Sequence, residues 1–452
     1  MPVLVLKHPK MFWFLCLLVA IAWISCSGLG GYVFQTYDHG ARNAAFRDLI
    51  NYAWPVLYSD NSAFSSYYFG FWLPPALLSK IFAPLFSKET VFLLGQHFLM
   101  LYSIIGVILF FLLIIYNQRA VTRKAIILCL LLPVFFSGMD IVGMYAVHGR
   151  VTDANHLEWW AQRWQYSSLT TCLFWVYNQT IIPWLATLIF WQERKIQDFA
   201  FLFALCCFSG PFPAVGLAIF MLVWVLYKII LSARAKSMII TLARQIFSFS
   251  NILVSLFFGL MLFTFFSQNS SIGRYPFEFR SMPFSSWLWF VILEFGAFAL
   301  VISNNFSLAI SNKSYRNIIF ITMFGALSLL MLPQIGSGHD FPMRASIPAI
   351  IIMMMFCLDY LLTQSWKNFS VIVLCLLLLL GAATPFVEIR RNIRHALNTG
   401  KIRHLHDSII TFEGKNKNDF PHYQYVILNP SEKFFFKYFS RSLPYKKTTD
   451  EQ

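Results

Sequence analysis

The stretch Tyr67-Tyr68-Phe69-Gly70-Phe71-Trp72-Leu73-Pro74-Pro75-Ala76-Leu77-Leu78-Ser79-Lys80-Ile81-Phe82-Ala83-Pro84-Leu85-Phe86 is long and apolar enough to count as a membrane span, and its reading decides how the rest of the chain threads. Pro74, Pro75 and Pro84 break it, and a proline inside a helix removes a hydrogen bond and clashes with the preceding turn. Counted as a span, it inverts every later loop and puts basic clusters outside, against the excess of lysine and arginine in cytoplasmic loops. The segment therefore reads as an interfacial or re-entrant helix inside a long first external loop, residues 30–89.

A membrane is required by composition. Of 452 residues, 58% are hydrophobic and 12% charged, too little polar surface to cover a soluble globule. Apolar runs of spanning length occur at 11–29, 90–116, 125–143, 169–191, 246–267, 285–303, 317–333, 344–364 and 369–386. Two shorter segments, 197–209 and 213–230, form a hairpin around Ser209-Gly210-Pro211-Phe212-Pro213, where glycine and proline force a turn. No run alternates with period two, so helices are expected rather than a barrel. The expected fold is all-α and polytopic, with about eleven transmembrane helices over residues 1–387 and a small external C-terminal tail over 388–452.

The net charge of +15 is scattered in short clusters: Lys7 and Lys10; Arg119, Arg123 and Lys124; Arg194 and Lys195; Lys228, Arg234, Lys236 and Arg244; Lys313 and Arg316; Lys367. These read as cytoplasmic, with the N-terminus inside and the C-terminus outside. No folded basic domain exists to bind nucleic acid. The eight cysteines lie in or beside apolar runs without paired spacing, which argues against a disulfide framework or a zinc site. The basic N-terminus resembles a signal peptide and Ile24-Ser25-Cys26 faintly resembles a lipoprotein box. Trp23 stands where leucine is expected there, so the segment reads as a retained helix.

In this threading polar chemistry gathers on the external face. The first loop carries Asp38, His39, Arg42, Arg47, Asp48 and Asp60. The second carries Asp153, His156, Glu158, Trp159, Trp160, Arg163 and Trp164. Arg274, Glu278 and Arg280 occupy the fourth, and His339, Asp340 and Arg344 precede the tenth helix. A carboxylate such as Asp38 beside an apolar interface suits a general base; the competing reading is a cap on a helix starting near Ala41. Arg344 can bind a phosphate bidentately at headgroup depth, or snorkel to lipids or pair with Asp340. The run His156-Leu157-Glu158-Trp159-Trp160-Ala161-Gln162-Arg163-Trp164 sets indoles beside amides and acids, as sugar binding needs, although an aromatic belt has the same composition. His156 and Glu158, at i and i+2, do not share a helix face, and Asp38-His39 lacks paired-acid spacing, so no metal is expected. Glu294 is the one clear carboxylate within an apolar helix.

Three of these stretches, Tyr37-Asp38-His39-Gly40-Ala41-Arg42, Tyr67-Tyr68-Phe69-Gly70-Phe71-Trp72-Leu73-Pro74-Pro75 and His339-Asp340-Phe341-Pro342-Met343-Arg344, resemble a group of bacterial multi-span proteins similar to the C-type (GT-C) glycosyltransferases. The resemblance implies an acidic catalytic base in the first external loop, here Asp38, and interfacial helices before the second span, here residues 67–86. It further implies a sugar on a polyprenyl phosphate as donor, a glycan or lipid acceptor, and transfer on the outer side of the bacterial inner membrane. Arg344 and Arg42 would hold the donor phosphate, with His39, His156, Glu158, Trp159, Trp160, Arg163, His339 and Asp340 around the substrates. Lys446-Lys447 near the end of the tail is a weaker likeness to serotype-converting glucosyltransferases of O-antigen. Two other functions compete: a polymerase or ligase of lipid-linked glycans, whose external loops also carry arginine and histidine, and a transporter or flippase built on Glu294 and the Gly-Pro hairpin.

Overall fold

Apolar runs without period-two alternation fold here, as expected, into helices. The computed structural model describes residues 9–58, 63–151, 156–162, 164–233, 236–269, 277–279, 283–303, 314–336, 339–400, 408–411 and 423–438. Lys7, Asp60, Asp153, Arg163, Arg234, Arg274, Arg280, Lys313, Lys446 and Lys447 lie outside them.

Helix α1 (Pro9–Cys26) ends at Gly28, whose φ of 89° is open to glycine at little cost and turns the chain into α2 (Asp38–Asn51). The proline-broken segment folds into a short helix, α3 (Leu73–Ile81), with Pro74 and Pro75 in its first turn, where a missing N–H costs nothing. At nine residues it is about 14 Å long, half a hydrocarbon core. Ser87 then caps α4 (Lys88–Gln118) through the Thr90 N–H. Next come α5 (Arg123–Phe135) and α6 (Asp140–His148), followed by α7 (Leu169–Val176) and α8 (Ile181–Glu193). Helices α9 (Phe199–Ser209) and α10 (Pro211–Ser232) make the anticipated hairpin. The remainder are α11 (Lys236–Ile246), α12 (Phe249–Thr264), α13 (Phe284–Val291), α14 (Ala297–Ser303), α15 (Ser314–Leu329), α16 (Asp340–Ala345), α17 (Ile347–Thr363), α18 (Phe369–Gly381), α19 (Ala383–Thr399) and α20 (Phe434–Tyr438).

This is an all-α polytopic membrane protein. Among the described residues, seven stretches are helical, long and apolar enough to cross a bilayer, and α7–α8 adds an eighth if a bent pair is one span. Outward faces are apolar as well as the interior: Leu101, Ile105 and Leu109 of α4 are each about half exposed, and Leu256 and Phe257 of α12 more so. Rows of large apolar side chains on that scale require lipid rather than water.

Two expectations are corrected. The run 169–191 is not one straight span: its halves meet at 106° around Thr180. The tail does not begin at residue 388, since α19 runs through that position to Thr399 with Glu388 buried.

The two ends of the bundle differ. At one, Arg194 lies over Tyr315 (4.3 Å) and Trp224 (5.6 Å), Lys228 lies over Trp224 (5.0 Å) and Arg316 pairs with Asp359 (2.6 Å). At the other, the first loop and the tail are joined. Strand β1 (Ala63–Ser65) pairs antiparallel with β4 (Val426–Leu428), Ala63 opposite Leu428. Buried Asp48 accepts hydrogen bonds from Tyr58 (2.8 Å), the Ser408 hydroxyl (3.1 Å) and the Ile409 amide (3.0 Å). A second small pairing, β2 (Glu278–Phe279) with β3 (Pro333–Gln334), links two later loops.

Candidate functional site

At the end bearing the first loop, two guanidinium groups from opposite ends of the sequence are buried together. Asp38 is the first residue of α2, after the N-cap Tyr37, so it does not occupy the cap position considered above; it pairs with Arg42, one turn on, at 3.1 Å. Arg344 pairs in the same i,i+4 manner with Asp340 on α16, at 3.0 Å. Both arginine side chains are under 10% exposed, while the carboxylates keep 39% and 25% of their surface. The two guanidiniums are close enough to repel one another. Burial alone would lower both; their carboxylate partners and the surrounding tyrosines outweigh it, and both are held above the usual arginine range.

Each guanidinium retains buried N–H groups that meet no acceptor among the described residues: Nε and Nη1 of Arg42, and Nε of Arg344. Buried donors left unmade cost about 1–3 kcal/mol each, so such a cluster calls for a ligand. Two like charges with spare planar donors match an oxyanion with several oxygens, phosphate above all.

The rim is tyrosine. Tyr67 stacks on Tyr425 of the tail at 4.2 Å and on Trp72 at 5.7 Å, and touches Tyr68 at 3.9 Å. Tyr67 and Tyr68 interact with Arg344, and Tyr67, Tyr177 and Tyr425 with Arg42. Burial raises the phenols of Tyr68 and Tyr425, which therefore stay protonated and able to donate. The bend between α7 and α8 supplies the far wall, with Tyr177, Asn178 and Gln179 in a single 3-10 turn. Gln179 donates to Tyr67 Oη at 3.2 Å and the Trp72 indole donates to Tyr177 Oη at 3.2 Å. Both polar atoms of fully buried Asn178, and Oε1 of Gln179, have no partner among the described residues. His39 packs on Tyr177 (5.3 Å) and bonds the Phe174 carbonyl (3.0 Å).

The α9–α10 turn closes the site from beneath. Gly210 abuts the Gln179 side chain, and Gly216 lies where a Cβ would sit 2.0 Å from the Ala345 carbonyl oxygen. Only glycine allows α10 to approach the Arg344 helix so closely. Phe212 packs edge-on to Phe341 at 5.4 Å.

The tryptophan-rich run is elsewhere. Trp160 and Trp164 are 6% and 4% exposed, and only Trp159 shows about half its surface, so the indoles form no open platform. Trp160 donates to Glu294 at 2.8 Å, beside a one-turn π-helix over Ile292–Gly296. Glu158 accepts from Gln165 (2.8 Å), the Ser167 hydroxyl (2.7 Å) and the Ser168 amide (3.0 Å); burial and the nearby Asp140 push its carboxyl up to about 8. The cavity against Glu294 is about 10 Å³, room for one water at most. His156 pairs with Glu388 at 2.9 Å, and Glu388 also accepts from Trp175 and Arg391.

Of the residues singled out from the sequence, Asp38, His39, Arg42, Asp340 and Arg344 come together. His339 directly precedes α16. His156, Glu158 and Trp160 belong to the inner network, and Arg163 lies outside the described residues. Tyr68, Tyr177, Asn178, Gln179 and Tyr425 were missed; the polar triplet interrupting an apolar run was the available signal for three of them. Among the described residues no group of three or more His, Cys, Asp or Glu is placed to hold a metal ion. Comparison with family models, characterised proteins and solved structures finds no match for the chain.

Proposed function

We propose that this chain is a membrane glycosyltransferase of the C type, moving a sugar from a polyprenyl-phosphate donor to a surface-glycan or lipid acceptor. The observation that carries this reading is the buried Arg42–Arg344 pair with unpartnered N–H groups beside the half-exposed Asp38 carboxylate. The acceptor hydroxyl attacks the anomeric carbon, the bond from that carbon to the phosphate oxygen breaks, and polyprenyl phosphate leaves with the electron pair. Asp38 takes the hydroxyl proton. Arg42 and Arg344 neutralise charge on the departing phosphate, which stabilises the transition state.

Three shorter apolar helices, over Ile196–Ser209, Tyr315–Leu329 and Ile347–Thr363, join the seven long stretches and the bent pair to support eleven passes. The basic end then faces the cytoplasm and the arginine pair faces outward, in a bacterial inner membrane. The closely packed surroundings of Glu294 lend no support to a transport path through that residue.

The test is Asp38→Asn in purified protein, reconstituted with polyprenyl-phosphate sugars and membrane acceptor extract. Transfer falls by at least about a hundredfold, while insertion and elution stay normal. Full transfer by the variant removes Asp38 as base. A deletion strain lacking a side-branch sugar supports transfer, whereas collapse of glycan chain length assigns the protein to the polymerases.

A further inference from the structure

The basic residues of α19 do not sit with the other basic clusters. Asn392 donates to the Cys26 carbonyl at the end of α1 (3.1 Å), and the His395 ring stacks on Phe34 at 4.0 Å, four residues before Asp38. Helix α19 is therefore at the Asp38 end, opposite Arg194, Lys228 and Arg316. The charge bias that sets membrane orientation does not account for it.

Here α19 lines a groove of about 300 Å³ with Arg390, Arg391, Arg394, His395 and Asn398. Arg390 and Arg394 are one turn apart, and Arg391 is held between Glu388 and the Trp175 ring (5.3 Å). Phe386 and Leu397, 58% and 80% exposed, lie on the same helix and offer apolar surface to lipid. Guanidinium groups along one helix face with apolar side chains nearby fit an anion carried on an amphiphile. Glu388 also accepts from Trp175 (2.9 Å), adjacent to the Phe174 carbonyl that His39 engages, so α19 is linked to the Asp38 helix through α7.

We infer that this groove binds the phosphate of a membrane-embedded, phosphate-bearing acceptor lipid and holds its sugar toward Asp38. The inference rests on the transferase reading for the word acceptor and on the groove alone for phosphate binding. The Arg42–Arg344 pair takes the donor phosphate, and α19 takes the acceptor's.

Binding is tested on the full chain in detergent with short-chain phosphatidic acid, short-chain phosphatidylcholine and inorganic phosphate as probes. Phosphatidic acid binds the wild type, and the double variant Arg390→Gln/Arg394→Gln weakens it about tenfold; phosphatidylcholine and inorganic phosphate bind far more weakly. Equal binding by wild type and double variant overturns the groove, as does loss of binding in Arg344→Gln alone. Inorganic phosphate binding as tightly as the lipid overturns its lipid character. These arms need no turnover, so they hold or fail separately from the transferase reading. In the transfer assay the double variant raises KM for a phosphorylated lipid acceptor with no matching rise for the donor; an unchanged acceptor KM overturns the acceptor assignment.

Discussion

Arg42 and Arg344 act through geometry more than charge. A guanidinium presents planar paired donors to a phosphate, whereas an ammonium is a point charge. Arg344→Lys keeps the charge and the Asp340 pair but loses the fork, and kcat/KM for the donor falls about ten- to a hundredfold; retained kcat/KM would mean that the phosphate binds elsewhere. Asp48 offers a pH signature. Burial pushes its carboxyl up to about 6, against the pull of the Ile409 amide, Tyr58, Ser408 and Arg47, while in the unfolded chain it titrates near ~3.9. Between those values the folded protein keeps a proton that the unfolded chain has released. Stability therefore falls as pH rises through that window and levels off above about 6, by at most about 3 kcal/mol. Asp48→Asn abolishes this component, so wild-type and variant melting curves diverge between about pH 4 and about pH 6; parallel pH dependences would contradict the assignment.

The element that matters most is the bend between α7 and α8. The surrounding run is apolar from Leu169 to Trp191, and hydropathy counting makes it one span. Tyr177-Asn178-Gln179 carries three polar groups through its middle, and the fold turns 106° there, setting Tyr177 against Arg42 and Gln179 against Tyr67. Asn178→Leu removes two buried polar atoms that lack partners among the described residues. It raises apparent thermal stability by about 1 kcal/mol or more while lowering transfer, the trade expected of a residue kept for a ligand; a destabilised, fully active variant would give Asn178 a structural role. Elsewhere legibility followed the range of the forces. The apolar helices were readable, because an apolar run in lipid has few alternatives, whereas the polar α11 and the outer half of α19 were not. The break at Pro74 and Pro75 was also legible, since proline acts locally. The role of the tryptophan run was not: an exposed sugar platform and a buried plug share one composition, and Trp160 is decided by Glu294, far away in sequence. Tyr425 was unreadable for the same reason, as only the β1–β4 pairing brings it to Tyr67.

For the whole molecule, the question is whether the two chemically distinct ends face opposite compartments. Helix α4 settles the distance between them. Its 31 residues span about 46 Å, longer than the ~30 Å hydrocarbon layer. Glu89 at its start is held by Arg47 of the first loop (2.7 Å), and Gln118 at its end donates to the Met355 carbonyl of α17 (2.8 Å). The Asp38 end and the basic end thus lie at opposite ends of a helix longer than the hydrocarbon layer. That disposition is what the proposed donor, with its lipid in the bilayer and its sugar outside it, demands. Single cysteines at Thr399 and Lys124, in a background freed of the eight native ones, test it with a membrane-impermeant maleimide on intact spheroplasts. Thr399→Cys labels at once and Lys124→Cys only after the membrane is opened. Both labelling from one side would leave the arginine pair and the basic clusters in the same compartment, and transfer to an outward-facing acceptor would lose its geometry.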